Sequence, residues 1–208
     1  FLTTSTLQVK DLSSDPSSFL SQRSGAMFNF NRTKIDNYVA QLKANKNVQN
    51  VSKALDLRTT IYNVGRVKKS IVFGSEIPFK IEFKNGQSFD QIVLNLKPNS
   101  STIEFNEEKI TFDSSYPFET DNFILTLNKA VDTIANEYLI SRTTELKAFY
   151  NLFNQINVNA SSKEGDNIDI SVKGPNIKRN EAIINSLISV AYDAQISNKQ
   201  EIFTLSID

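Results

Sequence analysis

The side chains best suited to bind an anion lie in one short basic run, GRVKKS, at residues 65–70. It contains Arg66, Lys68 and Lys69, whose cationic groups form charge-assisted hydrogen bonds with carboxylates and phosphates. These three residues are therefore candidates for contact with an anionic ligand such as a lipid phosphate or a sugar acid. We favour the structural alternative, in which lysines along the edge of a sheet protect it against aggregation.

Two pairs of acidic residues could act as a general acid and base. The first is Glu107 with Glu108, and the second is Glu164 with Asp166. Both pairs lie in predicted hairpin turns, where solvated polar side chains are common. Weak cation binding is another option, but the oxygen donors are too few for a calcium loop. We interpret both pairs as turn residues.

The aromatic residues are mainly phenylalanine, with 15 Phe and no Trp in the chain. Phe149, Tyr150 and Phe153 fall on one predicted helix and could form a shelf for a ligand. A stripe of this kind is more often the face that a helix packs against a sheet. We expect the three rings to belong to the core.

The composition excludes several kinds of chemistry. The chain has no cysteine and no histidine, which rules out thiol nucleophiles, disulfides and histidine-ligated zinc. Its glycines form neither a phosphate-binding loop nor a nucleophile elbow. Because 23 basic residues balance 23 acidic ones, no overall field favours nucleic acid. We predict no enzymatic activity, no catalytic residue, no cofactor, no metal and no nucleic-acid partner for this chain.

The period of the apolar residues predicts the elements of the first two thirds of the chain. Residues Thr3–Val9 read as a strand, and residues 35–55 have helical spacing, as one helix or two short ones, with Thr33 as a candidate N-cap. From residue 58 to residue 127 the period is two. Within that block, Asn85-Gly86 and the turn near Asn106 predict hairpins.

The last third returns to helical spacing at Leu146–Ile156, with Thr143 or Thr144 as the cap. Two extended pieces follow, and a long helix begins at about Ile177. These elements predict an α+β fold. We expect a mostly antiparallel sheet packed by helices, with a long C-terminal helix that continues beyond the end of the sequence.

That final helix changes character along its length. It is apolar on one face at first, turns polar from Gln195 to Glu201, and then becomes apolar again. The later apolar residues are Ile202, Phe203, Leu205 and Ile207. Nothing in the remaining sequence can cover them, so they are expected to need a partner.

Four stretches of the chain resemble the periplasmic domain of Wzz-type polysaccharide co-polymerases, the chain-length determinants of bacterial surface polysaccharides. The likeness is closest to Bacteroidetes-type members, many of which also carry a cytoplasmic tyrosine autokinase. The stretches are TTSTLQVKD at residues 3–11, the run from IDNYVAQL to IPFKIEF at residues 35–83, the run from LFNQINVN to NSLI at residues 152–188, and SNKQEIFTLSID at residues 197–208. Their order and spacing carry the resemblance.

The third stretch contains the longest motif. It is similar to the family pattern D-P-x-x-A-x-x-I-N-x-L at Pro175, Ala182, Ile184, Asn185 and Leu187. Gly174 stands where the family usually has the Asp of an Asp-Pro opening.

The resemblance implies a single periplasmic base domain over residues 1–208, excised from an inner-membrane protein whose membrane helices and distal helical region lie outside this sequence. Such proteins form ring-like homo-oligomers and act with polysaccharide polymerase or export machinery; the growing polysaccharide is a further candidate partner. The implied function is a non-catalytic oligomerisation scaffold that regulates the length or export of capsular, exo- or O-antigen polysaccharide. Two alternatives stay open: the extracytoplasmic sensor of a tyrosine autokinase, and a generic periplasmic glycan-binding module.

Overall fold

The computed structural model divides the chain into two compact units. It describes residues 1–8, 35–65, 67–84, 86, 88–96, 101–105, 107–113, 116–128, 136–161 and 167–205. The first unit comprises Phe1–Leu55 and Asn151–Asp208, and the second unit is Asp56–Tyr150. The single base domain over residues 1–208 stays a prediction.

The described residues form twelve strands and four α-helices. In chain order they are β1 (Leu2–Gln8), α1 (35–42), α2 (Asn45–Ala54), β2 (Thr59–Val64), β3 (Lys69–Val72), a 3₁₀ turn (Gly74–Glu76), β4 (Phe79–Phe83), β5 (Phe89–Leu96), β6 (Ser101–Phe105), β7 (Glu108–Phe112), β8 (Phe118–Glu119), β9 (Phe123–Leu127), β10 (Asn136–Arg142), α3 (Glu145–Gln155), β11 (Ile156–Ala160), β12 (Asn167–Lys173) and α4 (Ile177–Leu205).

The first unit is a small antiparallel sheet with helices packed on it. The strand order is β1-β12-β11. Helix α4 packs on β1 and β12, and α2 packs on α4. Every second residue of β12 is buried, namely Ile168, Ile170 and Val172. This alternation is what a strand with one covered face requires.

The junction between β12 and α4 is held by two asparagines. Asn176 caps α4, because its Oδ1 accepts a hydrogen bond from the Arg179 amide at 2.9 Å. The buried Asn180 donates from Nδ2 to Thr3 Oγ1 at 3.3 Å and to the Gly174 carbonyl at 3.4 Å. A Cβ atom at Gly174 would collide with Asn180 Oδ1, so the close approach requires glycine here.

Helix α4 is much longer than the sheet beneath it. Its 29 residues span about 43 Å at 1.5 Å per residue, whereas the seven residues of β12 span about 24 Å. Among the α4 side chains that the structure describes, the buried ones lie between Asn180 and Ala191. The second half therefore extends past the end of the sheet.

The second unit packs one sheet on another. A six-stranded antiparallel sheet has the order β3-β2-β10-β5-β6-β7, and a three-stranded one has the order β4-β9-β8. Their facing residues form a common core, in which Phe79 meets Tyr138 edge to face at 5.3 Å and Phe105 meets Phe123 at 5.6 Å. The unit is therefore a β-sandwich.

The chain enters and leaves this sandwich at adjacent positions. Thr59 on β2 lies opposite Arg142 on β10. One residue further out, the Thr143 amide donates to the Arg58 carbonyl at 2.9 Å. Adjacent ends are what an inserted, self-contained unit requires.

The predicted fold class is wrong. The described residues form mostly antiparallel sheet, with three sheets and four helices, whereas the periplasmic domain of the family that the chain resembles is mostly helical. The expectation of one sheet packed by helices also fails in the second unit, where every residue of the core cluster comes from a strand. A period of two indicates a buried face, but it does not tell whether a helix or a second sheet covers that face.

Individual elements were predicted with mixed success. The hairpin predicted at Asn85-Gly86 is wrong, because β4 pairs with β9 and β5 pairs with β6 and β10. The hairpin near Asn106 is confirmed, since β6 pairs with β7. Helix α4 begins at Ile177 as predicted. The candidate cap Thr33 and the late apolar residues of the final helix lie outside the described side chains.

Candidate functional site

The predicted basic cluster lies at the turn between β2 and β3. Arg66 lies outside the described residues, and Lys68 and Lys69 are both exposed. The turn is closed by a hydrogen bond from the Gly65 amide to the Lys68 carbonyl at 3.2 Å. Because β3 is an edge strand of the six-stranded sheet, Lys69 also has the position at which lysine protects an edge. Anion binding by the three residues stays an untested hypothesis.

Of the two predicted acidic pairs, only the first lies within the described residues. Glu107 has a positive φ of 69° and forms the turn before β7, as a turn residue should. Glu108 is the first residue of β7. The second pair, Glu164 and Asp166, lies outside the described residues.

The three aromatic residues of α3 do not share one environment. Phe149 is 8% exposed and belongs to the core, as predicted, whereas Tyr150 is 54% and Phe153 is 41% exposed. The core assignment is therefore wrong for Tyr150 and Phe153. Thr144, one of the two predicted caps, accepts a hydrogen bond at Oγ1 from the Lys147 amide at 3.3 Å.

A half-buried arginine, Arg142, joins residues that are distant in sequence. The Arg142 Nη1 atom donates to Asp56 Oδ2 at 3.1 Å and to Thr59 Oγ1 at 2.7 Å. Its guanidinium lies 4.3 Å from the centre of the Phe83 ring, a cation–π contact. These contacts connect the end of β10 to the turn before β2 and stabilise that turn. Only the strand pairing brings the residues together, so no sequence pattern could have identified them.

The outer surface of the small sheet in the first unit carries one carboxylate with a shifted pKa. The Thr6 hydroxyl donates to Asp169 Oδ1 at 2.7 Å, and Thr6 lies directly opposite Asp169 in the β1–β12 register. Hydrogen bonds from Thr6 and then Ser161 lower the pKa of Asp169 below its usual 3.8, because they stabilise the charged form.

A groove of about 250 Å³ opens at one side of the sandwich. Strand β8 has only two residues, whereas β7 across the gap has five, so the smaller sheet does not fully cover the larger one. The exposed Ile110 lies opposite the buried Ile103 in the β6–β7 register. Residues directly opposite in an antiparallel pair share a face, so Ile110 faces the inside of the sandwich but is left uncovered.

Some kinds of site are not found in the described part of the chain. No group of three or more acidic side chains there is arranged to hold a metal ion. None of the helices in the same ranges is long and apolar enough to cross a membrane.

Comparison with known proteins identifies no family for the chain. No protein-family model matches it, and no curated protein is significantly similar to it.

Proposed function

We propose that the chain is a non-catalytic oligomerisation and scaffold domain of a bacterial inner-membrane protein. The protein would regulate the length or export of capsular, exo- or O-antigen polysaccharide, with this domain in the periplasm. Its partners are further copies of itself and the polysaccharide polymerase or export machinery. The mostly helical architecture implied by the family resemblance is not part of the proposal.

The observation that carries the proposal is the extension of α4 past its own sheet. The part of α4 that packs on β1 and β12 has buried side chains up to Ala191. Directly after it, Tyr192 is 63% and Ile196 is 39% exposed. These residues are four apart and so lie on one face of the helix. A helix that leaves its sheet with an apolar face exposed is suited to pack against other copies.

The resemblance adds support because two of its four stretches meet in one sheet. The first stretch forms β1, and the third forms β11, β12 and the start of α4. They are paired in one sheet, with Leu2 opposite Lys173 and Gln8 opposite Asn167. Segments more than 150 residues apart in the chain thus form one unit, the part of the molecule that the proposal makes the base of the assembly.

The test is the oligomeric state of the complete membrane protein in mild detergent, measured by light scattering over a wide concentration range. We expect a homo-oligomer, and we expect the double substitution Tyr192→Asp and Ile196→Asp to dissociate it. In cells, the same variant should change the polysaccharide length distribution on gels.

Asp193→Asn is the matched control, because Asp193 is also exposed but already polar. It should leave both the assembly and the length distribution unchanged. A complete protein that stays monomeric at all concentrations would contradict the proposal.

A further inference from the structure

We propose that the groove between β6–β7 and β8–β9 binds one sugar ring of a neutral glycan. This goes beyond the proposed function, which requires self-association but no ligand. The inference depends on three properties of the groove: its apolar floor, its polar rim and the sign of its charge.

The floor of the groove is apolar and largely aromatic. Phe123 and Ile103 are fully buried beneath it, and Phe105 and Phe118 are half-buried at its sides. The Phe118 ring packs against Phe112 at 4.9 Å and against Phe123 at 6.3 Å, so its position is fixed. Rigid aromatic surface of this kind contacts the C–H face of a sugar ring at low entropic cost.

The rim supplies hydrogen-bonding groups that are free to meet a ligand. Glu108, Asp121 and Asn122 line the groove, and their side chains make no hydrogen bond or ion pair within the described ranges. A carboxylate only accepts hydrogen bonds, and an amide both donates and accepts. Hydroxyl groups can satisfy both kinds of partner.

The turn that carries two of these groups is already ordered. The Thr120 hydroxyl accepts from the Asn122 amide at 3.2 Å and from the Phe123 amide at 3.1 Å. The Thr120 amide in turn donates to the Phe123 carbonyl at 2.9 Å. Asp121 and Asn122 are therefore held in place before a ligand arrives, which lowers the cost of binding.

Charge and size select the ligand. Within the described residues, the lining contains the carboxylates of Glu108 and Asp121 and no basic residue, so phosphates and uronates are repelled. The volume of about 250 Å³ is just below the roughly 300–1,000 Å³ of pockets that enclose a drug-sized ligand. A single ring fits, with the rest of the chain outside.

The test is a titration of the full 208-residue chain, labelled with ¹⁵N, with short neutral oligosaccharides of glucose, galactose and N-acetylglucosamine. We expect saturable shifts of the Ile110, Phe118 and Asn122 amides with at least one of them, at a Kd of about 1 mM. Glu108→Lys and Asn122→Ala should each weaken this binding about tenfold.

Lys109→Ala is the matched control. Lys109 lies on β7 between Glu108 and Ile110, opposite the exposed Glu104, and so faces away from the groove. This variant should bind like the unmodified chain. The inference is overturned if no neutral oligosaccharide shifts the groove amides, if an oligouronate or spermidine binds there more tightly, or if Lys109→Ala weakens binding as much as Glu108→Lys.

Discussion

At the scale of single residues, Gly174 determines how closely β12 approaches the first turn of α4. The substitution Gly174→Ala would force the buried Asn180 side chain away from its partners, Thr3 and the Gly174 carbonyl. We expect a loss of about 1–3 kcal/mol in the free energy of unfolding. Chemical denaturation of the two proteins measures this difference.

A double-mutant cycle isolates the cause of that loss. If the collision with the Asn180 side chain is responsible, Gly174→Ala should cost almost nothing in an Asn180→Ala background, since the colliding atoms are gone. It could even stabilise the chain by about 0.5 kcal/mol by restricting the unfolded state. An equal cost in both backgrounds would contradict the assignment of this loss to the Asn180 side chain.

At the scale of elements, helices and strands with strong local sequence signals could be predicted, but the strands with which they pair could not. Helix α4 has a long apolar face and a Gly-Pro sequence before it, and its start was found correctly. The partner of β4 was missed, because Asn85-Gly86 resembles a hairpin turn while the chain in fact passes from one sheet to the other. Strand pairing across a sandwich depends on contacts distant in sequence, which local patterns do not contain.

The same limit applied to the candidate sites. The exposed lysines of the β2–β3 turn were visible as a basic run in the sequence. The groove was not, because Glu108 and Asn122 come together only when β7 and the β8–β9 turn meet across two sheets. The sequence alone identifies Glu108 only as half of an acidic pair in a turn.

The pairing of β1 with β12 can be tested through Asp169, the β12 carboxylate whose pKa is lowered by Thr6 of β1. Thr6→Val removes the first hydrogen bond to Asp169 and should raise the pKa of Asp169 toward 3.8. A carboxylate with a lowered pKa in the folded state stabilises it above its unfolded pKa, and this contribution disappears as the pH falls through the folded pKa. The stability difference between the two proteins should therefore be present at neutral pH and vanish in acid.

The measurement is a carboxyl ¹³C NMR titration of Asp169 in both proteins. Thr4→Val is the control, because Thr4 lies on the same surface of β1 but opposite Ser171. It should leave the titration of Asp169 unchanged. Identical midpoints in the Thr6→Val protein and the unmodified chain would refute the assigned cause of the shift.

At the scale of the whole molecule, the hydrogen bond between Thr143 and Arg58 makes the sandwich removable. An Asn-Gly dipeptide that joins Arg58 to Thr143 would replace residues 59–142 by a tight turn. The first unit has its own buried sheet and helices, so we expect the shortened chain to fold, with a more helical circular dichroism spectrum. Residues 56–144 expressed alone should fold as a sandwich with dispersed amide signals.

The shortened chain and the isolated sandwich also allow the two proposals to be tested separately. In the complete membrane protein, deletion of the sandwich should preserve self-association, because the exposed face of α4 with Tyr192 and Ile196 belongs to the first unit. The isolated sandwich should keep the oligosaccharide-dependent shifts at Ile110 and Asn122, because the whole groove lies within it. A deletion protein that folds but no longer assembles would place the assembly surface in the sandwich and contradict the role given to α4. Loss of oligosaccharide binding by a folded sandwich would instead contradict only the groove.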